Sequence, residues 1–141
     1  MKTRTETRET TADAAAIWTR WVEAEKWPEH NDTLEWARVE GPLAVGTRIV
    51  MKPKGSGKTS ATITEVTPRK TFRTETKLPL ARLCIDHEMS ALPSGGTRFT
   101  HRWTMSGPLS GLFWKLFGER ASASLPAMLD NIVRIAEHPS E

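Results

Sequence analysis

Between Leu34 and Ser106 the chain reads as six short runs rich in β-branched residues, and Gly or Pro punctuates it about every ten residues. No other feature constrains the fold so strongly. The runs cover 34–40, 47–52, 60–67, 71–78, 82–92 and 97–106. Gly41-Pro42, Gly55-Ser56-Gly57, Pro68-Arg69, Pro79 and Pro93-Ser94-Gly95-Gly96 separate them. Connections this short exclude parallel crossovers, which need a dozen residues or more, so consecutive strands are expected to be antiparallel neighbours. Residues 2–9 alternate Thr3, Thr5 and Thr7 against Lys2, Arg4, Glu6 and Arg8. That pattern suits a seventh strand, but it offers no apolar inward face.

Helical signals flank the meander. Thr10-Thr11-Ala12-Asp13 is a start signal, after which Ala14, Ile17, Trp18 and Trp21 share one face of a helix of about three turns. Trp27-Pro28-Glu29-His30 is expected to end it, because Pro28 disfavours helical torsions at Trp27. Beyond Ser106, Gly107-Pro108 reads as a cap followed by a first helical residue, and Leu109, Leu112, Phe113, Leu116 and Phe117 form an apolar stripe. Gly118 weakens that segment, and Pro126 removes a backbone donor, predicting a kink or restart. Leu125, Met128, Leu129, Ile132, Val133 and Ala136 then fall on one face of an amphipathic helix. Strand, helix, meander and long terminal helix make an α+β fold.

A length of 141 residues suits one domain spanning residues 1–141. The net charge of +3 and pI near 9.3 raise the question of nucleic acid, but Lys and Arg are interleaved with Asp, Glu and Thr and form no stripe. Most of the six Trp fall at core-like spacing, so no nucleic-acid partner is expected. The first ten residues lack an apolar stretch, and no run approaches the ~20 apolar residues of a membrane-spanning helix. A cytoplasmic protein without stable membrane insertion is therefore expected. Cys84, the only cysteine, lies in an apolar run that suits a buried, inert thiol. Lys54-Gly55-Ser56-Gly57-Lys58-Thr59 imitates a phosphate loop, but Lys52 stands where the first Gly is needed and a strand pattern follows where a helix is required. A solvated hairpin tip accounts for it better. No cofactor is called for, and the sequence leaves a homodimer open.

Ile17-Trp18, Trp27-Pro28, Gly46-Thr47-Arg48, Glu65-Val66-Thr67-Pro68 and Gly96-Thr97-Arg98 occur in this order ahead of the apolar terminal helix. In that order and spacing the chain resembles the START-like superfamily, and within it the bacterial polyketide cyclase/dehydrase-like group of SRPBCC proteins. The resemblance covers nearly the whole chain. It implies a helix-grip fold: a curved antiparallel sheet of six or seven strands wrapped around the long C-terminal helix, with a short N-terminal helical region and a deep cavity between sheet and helix. Lipid and hormone binders and aromatic-ring cyclases share that fold, so it does not by itself decide function.

Strand parity sorts the candidate lining. Leu83, Ile85, His87, Met89 and Ala91 share one face of the fifth meander strand, and Phe99, His101, Trp103 and Met105 share one face of the sixth. Phe72, Thr74, Thr76 and Leu78 continue this concave face, and Ile49 and Met51 extend it. The helices are expected to add Trp18, Trp114, Phe117, Leu125 and Met128. From the pattern alone a solid core is the better expectation; the resemblance implies a ligand cavity instead. The turn at 93–96 should pair Met89 with Phe99, His87 with His101 and Ile85 with Trp103, since a one-residue slip would bring His87 opposite Arg102. Asp86 falls on the outer face, where Arg102 is its expected partner.

The leading function is binding of a small hydrophobic or aromatic ligand, lipid-like or polyketide-like, with His87 and His101 as the main polar contact. The alternative is a cyclase/dehydratase-type enzyme using these histidines as acid and base. No third inward ligand accompanies the two histidines, so no metal site is expected. The glycine-flanked segment 107–118 is expected to cover the cavity mouth, either as a moving gate or as a permanently packed helix.

Overall fold

The computed structural model describes residues 1–138. Seven strands form one antiparallel sheet: β1 (Lys2–Thr10), β2 (Leu34–Val39), β3 (Arg48–Pro53), β4 (Thr59–Thr67), β5 (Thr71–Leu78), β6 (Ala81–Ala91) and β7 (Thr97–Ser106). Their order is β1-β7-β6-β5-β4-β3-β2, so the six later strands are a plain meander and β1 closes the far edge against β7. Each meander strand ends within one residue of its expected bounds. Register shifts at Leu34/Trp36 and Ile63/Glu65 add local twist and bend the sheet. The fold is a helix-grip α+β fold.

Helix α1 (Ala14–Val22) is capped by Asp13, whose carboxylate accepts from the Ala16 N–H at 3.0 Å. It stops short of the expected Trp27-Pro28 boundary. The Trp27 indole N–H donates to the Trp21 carbonyl at 3.2 Å, taking an acceptor that a continuing helix would offer to Glu25. The chain then runs through a 3-10 turn, Ala24–Glu29, that contains Pro28. The concave face of the sheet closes over Ile17 and Trp21 of α1 and over Leu125, Met128, Leu129 and Ile132 of the terminal helix, with Ile49, Ile63, Phe72 and Phe99 beneath them.

The terminal helical region is less regular than the sequence suggests. After Gly107 it is broken into α2 (Ser110–Phe113), a π turn (Trp114–Gly118), α3 (Glu119–Ser122) and the long α4 (Leu125–Glu137). Helix α2 starts after Leu109, not at Pro108, because the Leu109 N–H is taken by the Leu80 carbonyl at 3.0 Å. The Trp114 indole covers Gly118, where a Cβ would lie 2.7 Å from the ring. Pro126 sits in the first turn of α4, where no helical bond is lost. No helix among the described residues is long and apolar enough to cross a membrane.

Strand β1 needs no apolar inward face. Arg4, Glu6, Arg8 and Thr10 point inward, and polar contacts bind the edge to α4: Arg8 Nε donates to Asp130 at 2.7 Å, and the Thr10 hydroxyl donates to Glu137 at 2.6 Å. On the outer face, Asp86 stands between Arg73 and Arg102 in the ladder. It pairs with Arg73 at 2.5 Å, not with Arg102 as expected, and Arg102 turns diagonally to Glu88 at 3.0 Å. Cys84 is half-buried on that face, and burial, with Glu75 and Asp86 nearby, pushes its thiol up and away from reactivity.

Candidate functional site

Hairpin β6–β7 has the expected register: Met89 faces Phe99, His87 faces His101 and Ile85 faces Trp103. The two imidazoles meet edge to face at 4.4 Å between ring centres. Trp21 of α1 lies 5.3 Å from His87 and 5.8 Å from His101, while Phe72 and Phe99 flank the pair at 5.5 and 5.9 Å. Aromatic rings therefore flank both imidazoles.

Hydrogen-bond partners fix the tautomers. The Trp21 indole can only donate, so His101 Nε2 is the acceptor at 3.0 Å and its proton sits on Nδ1. The Phe72 carbonyl can only accept, so His87 Nδ1 carries the proton that it donates at 3.0 Å. His87 Nε2 is left as a lone-pair acceptor with no donor among the described residues. Burial drives His87 down to about 4, against the Phe72 hydrogen bond and Asp86, which favour charge. Burial also holds His101 well below the ordinary histidine value, and the charges of His87 and His30 push it the same way.

His30 is a third member that the sequence did not reveal. It closes the 3-10 turn after Trp27-Pro28, a segment too short to show periodicity, and is only 4% exposed. Its Nδ1 is buried without a partner. Burial takes its ring to about 3, helped by Arg20 and His87. Arg20 is itself buried and held by Glu29 at 2.9 Å. The three histidines thus form one electrostatically coupled group that is neutral at pH 7. No three His, Cys, Asp or Glu side chains among the described residues are placed to hold a metal.

The other expected lining residues divide into three sets. Phe72, Phe99, Leu125 and Met128 are closed off in the core, as are Trp21 and His101. Ile85, His87, Met89, Trp103, Trp18 and Trp114 keep accessible surface. His87 is ringed by protein yet retains such surface, as do its strand neighbours Ile85 and Trp103. Helix α2 packs across β6 and β7 beside it. Phe117 faces solvent. Leu78 lines a separate, solvent-open hollow of about 390 Å³ with Lys77, Leu80, Ala81, Arg82, Ser106 and Gly107. Met89 also borders a smaller hollow of about 140 Å³ on the outside of the sheet with Glu88, Ser90, Arg98 and Thr100. The loop at Lys54–Lys58 leads into β4, not into a helix, and so lacks the framework of a phosphate loop.

Solved structures share this architecture at low sequence identity. A START superfamily protein from Mycobacterium smegmatis superposes with a TM-score of 0.74 at 13% identity, covering 98% of this chain and 99% of that one. Norcoclaurine synthase from Thalictrum flavum gives 0.72 at 17%, over 99% and 89%. The di-domain ARO/CYC StfQ of the steffimycin biosynthetic pathway gives 0.78 at 15%, and this chain spans 98% of its own length and 52% of that protein. At these identities the likeness is one of fold. No curated protein matches the sequence. The family described as polyketide cyclase / dehydrase and lipid transport matches residues 1–137, the whole sheet, all the helices and the histidine cluster. The chain is a member of that family.

Proposed function

We propose that this protein binds a small hydrophobic or aromatic molecule bearing a hydroxyl group, lipid-like or polyketide-like, on the concave face of β6 and β7 beside α2. The observation that carries this reading is His87 Nε2: a neutral acceptor in an apolar, aromatic setting, with its other nitrogen already committed to the Phe72 carbonyl. Such a group selects a donor, and a ligand hydroxyl is one that an apolar pocket tolerates. Ile85 and Trp103 supply apolar contact next to it. Norcoclaurine synthase, which has the same fold, is described with dopamine and hydroxybenzaldehyde, both hydroxylated aromatics.

The burial that makes the site selective also argues for binding over acid/base turnover. An efficient general acid or base titrates near the working pH. His87 at about 4 and His101 well below its usual value are weak bases at neutrality.

Native mass spectrometry of freshly purified protein, with calorimetric titration of 1-naphthol against naphthalene, tests the reading. Naphthol should bind about tenfold more tightly, the value of roughly one well-made hydrogen bond. His87→Phe should close that gap. Absence of any retained ligand, with neither compound binding, would remove the proposal.

A further inference from the structure

The β5–β6 connection and the segment from Leu109 to Arg120 meet at one end of the sheet. The Leu109 N–H donates to the Leu80 carbonyl at 3.0 Å, and Gly107 approaches so closely that a Cβ would lie 2.7 Å from that same oxygen. Helix α2 packs on β6 and β7 immediately beyond. At this junction large apolar side chains face solvent: Leu80 is 67% exposed, Leu116 66% and Leu112 52%, with Phe117 beside them. Leu80 holds φ +56, a left-handed conformation that bulky residues rarely adopt, and gains no burial in return. The π turn at Trp114–Gly118 leaves Leu116 as open as Leu80 and Phe117 partly exposed, with its ring 5.9 Å from that of Phe113.

The same two segments carry cations. Lys77 and Arg82 stand directly opposite one another in the β5–β6 ladder and border the 390 Å³ hollow beside Leu80. Like charges placed so oppose folding unless something anionic offsets them. Glu75 reaches Arg82 at 3.3 Å. On the helical segment Lys115 and Arg120 are exposed, and Glu119 is its one carboxylate. The two segments are therefore net positive beside their exposed apolar side chains.

We infer that this junction is a docking face for an anionic phospholipid bilayer, with Leu80, Leu112, Leu116 and Phe117 entering the interface and Lys77, Arg82, Lys115 and Arg120 meeting the headgroups. Exposed apolar side chains accompanied by Lys and Arg suit that surface on both counts. A second copy of the chain would instead set these cations against themselves. The inference is independent of whether the concave face takes a ligand.

Co-sedimentation with vesicles of phosphatidylcholine containing phosphatidylglycerol, against phosphatidylcholine alone, tests it. The protein should partition onto the anionic vesicles only, and binding should weaken as salt rises from about 0.1 M toward 1 M. Each cation near the surface contributes roughly fivefold, so Lys115→Glu should cost at least that much. Leu116→Ser with Phe117→Ser should lower partitioning by about tenfold or more, and Leu116→Ser alone, at a side chain that is 66% exposed, should lower it with the melting temperature unchanged. Failure to bind anionic vesicles, or binding indifferent to these substitutions, would overturn the inference. So would a dimer in analytical ultracentrifugation that Leu116→Ser with Phe117→Ser dissolves, since the face would then be a self-association surface.

Discussion

The Trp21 indole donates to His101 Nε2 across 3.0 Å, joining α1 to β7, the strand next to the β1 edge of the sheet, over a sequence separation of 80 residues. Both rings are buried, so neither finds water if the other is removed. Trp21→Phe should cost about 1–3 kcal/mol by stranding an unpaired imidazole nitrogen. Trp21→Phe combined with His101→Phe should cost less than the sum of the single changes. Urea unfolding of the three variants measures the coupling; strict additivity would show that the bond contributes nothing.

The neutral histidines make stability depend on pH. An unfolded histidine takes up its proton near 6.5, whereas folded His87 resists until about 4 and His30 until about 3. Between those values the unfolded chain binds more protons, so stability is full above about 6.5 and falls as pH is lowered. His87 alone accounts for about 3 kcal/mol. Urea midpoints measured from neutral pH down to about pH 4 should decline, and His87→Phe should flatten the decline. A flat profile in the unsubstituted protein would contradict the burial of this cluster.

Gly107 combines a left-handed φ of 103° with backbone contact to Leu80 and Ala81, whereas Gly95 has a similar φ of 93° and open space around it. Gly95→Ala should cost about 1 kcal/mol, from backbone strain alone. Gly107→Ala should cost at least about 2 kcal/mol more, because its methyl group would strike the Leu80 carbonyl. Thermal unfolding of the two variants separates strain from collision; equal losses would show that the junction yields freely.

The segment from Ser110 to Ser122 is split into two one-turn helices and a π turn, and much of its apolar surface lies in solvent. Elements with few buried contacts open locally at low cost. Its amides should exchange markedly faster than those of β5, β6 and β7. Exchange as slow as in the centre of the sheet would identify a permanently packed helix and exclude gating.

The meander was legible because turn chemistry and period-2 patterning agree at every connection, and the His87–His101 register because a slip would have put Arg102 in the core. His30 was not legible: a single 3-10 turn carries no periodic signal, and only the fold brings it near enough to His87 for their charges to couple. The apolar stripe from Leu109 to Phe117 showed amphipathicity but not what the stripe faces, and Leu112, Leu116 and Phe117 turned out to face water. The polar β1 was readable as a strand. Its means of closure, ion pairing and hydrogen bonding to α4, depended on Asp130 and Glu137, which the alternation of β1 could not announce.

That closure bears on how the chain assembles during synthesis. Strand β1 emerges first, yet its partner β7 and its anchors on α4 emerge last: Thr10 pairs with Thr97, and Lys2 with Met105. An apolar strand kept waiting so long would be an open invitation to aggregation. Alternating threonine with charged side chains lets the leading segment remain hydrated until the sheet edge that completes it exists, and leaves the final seam to contacts that water does not penalise while they are unmade.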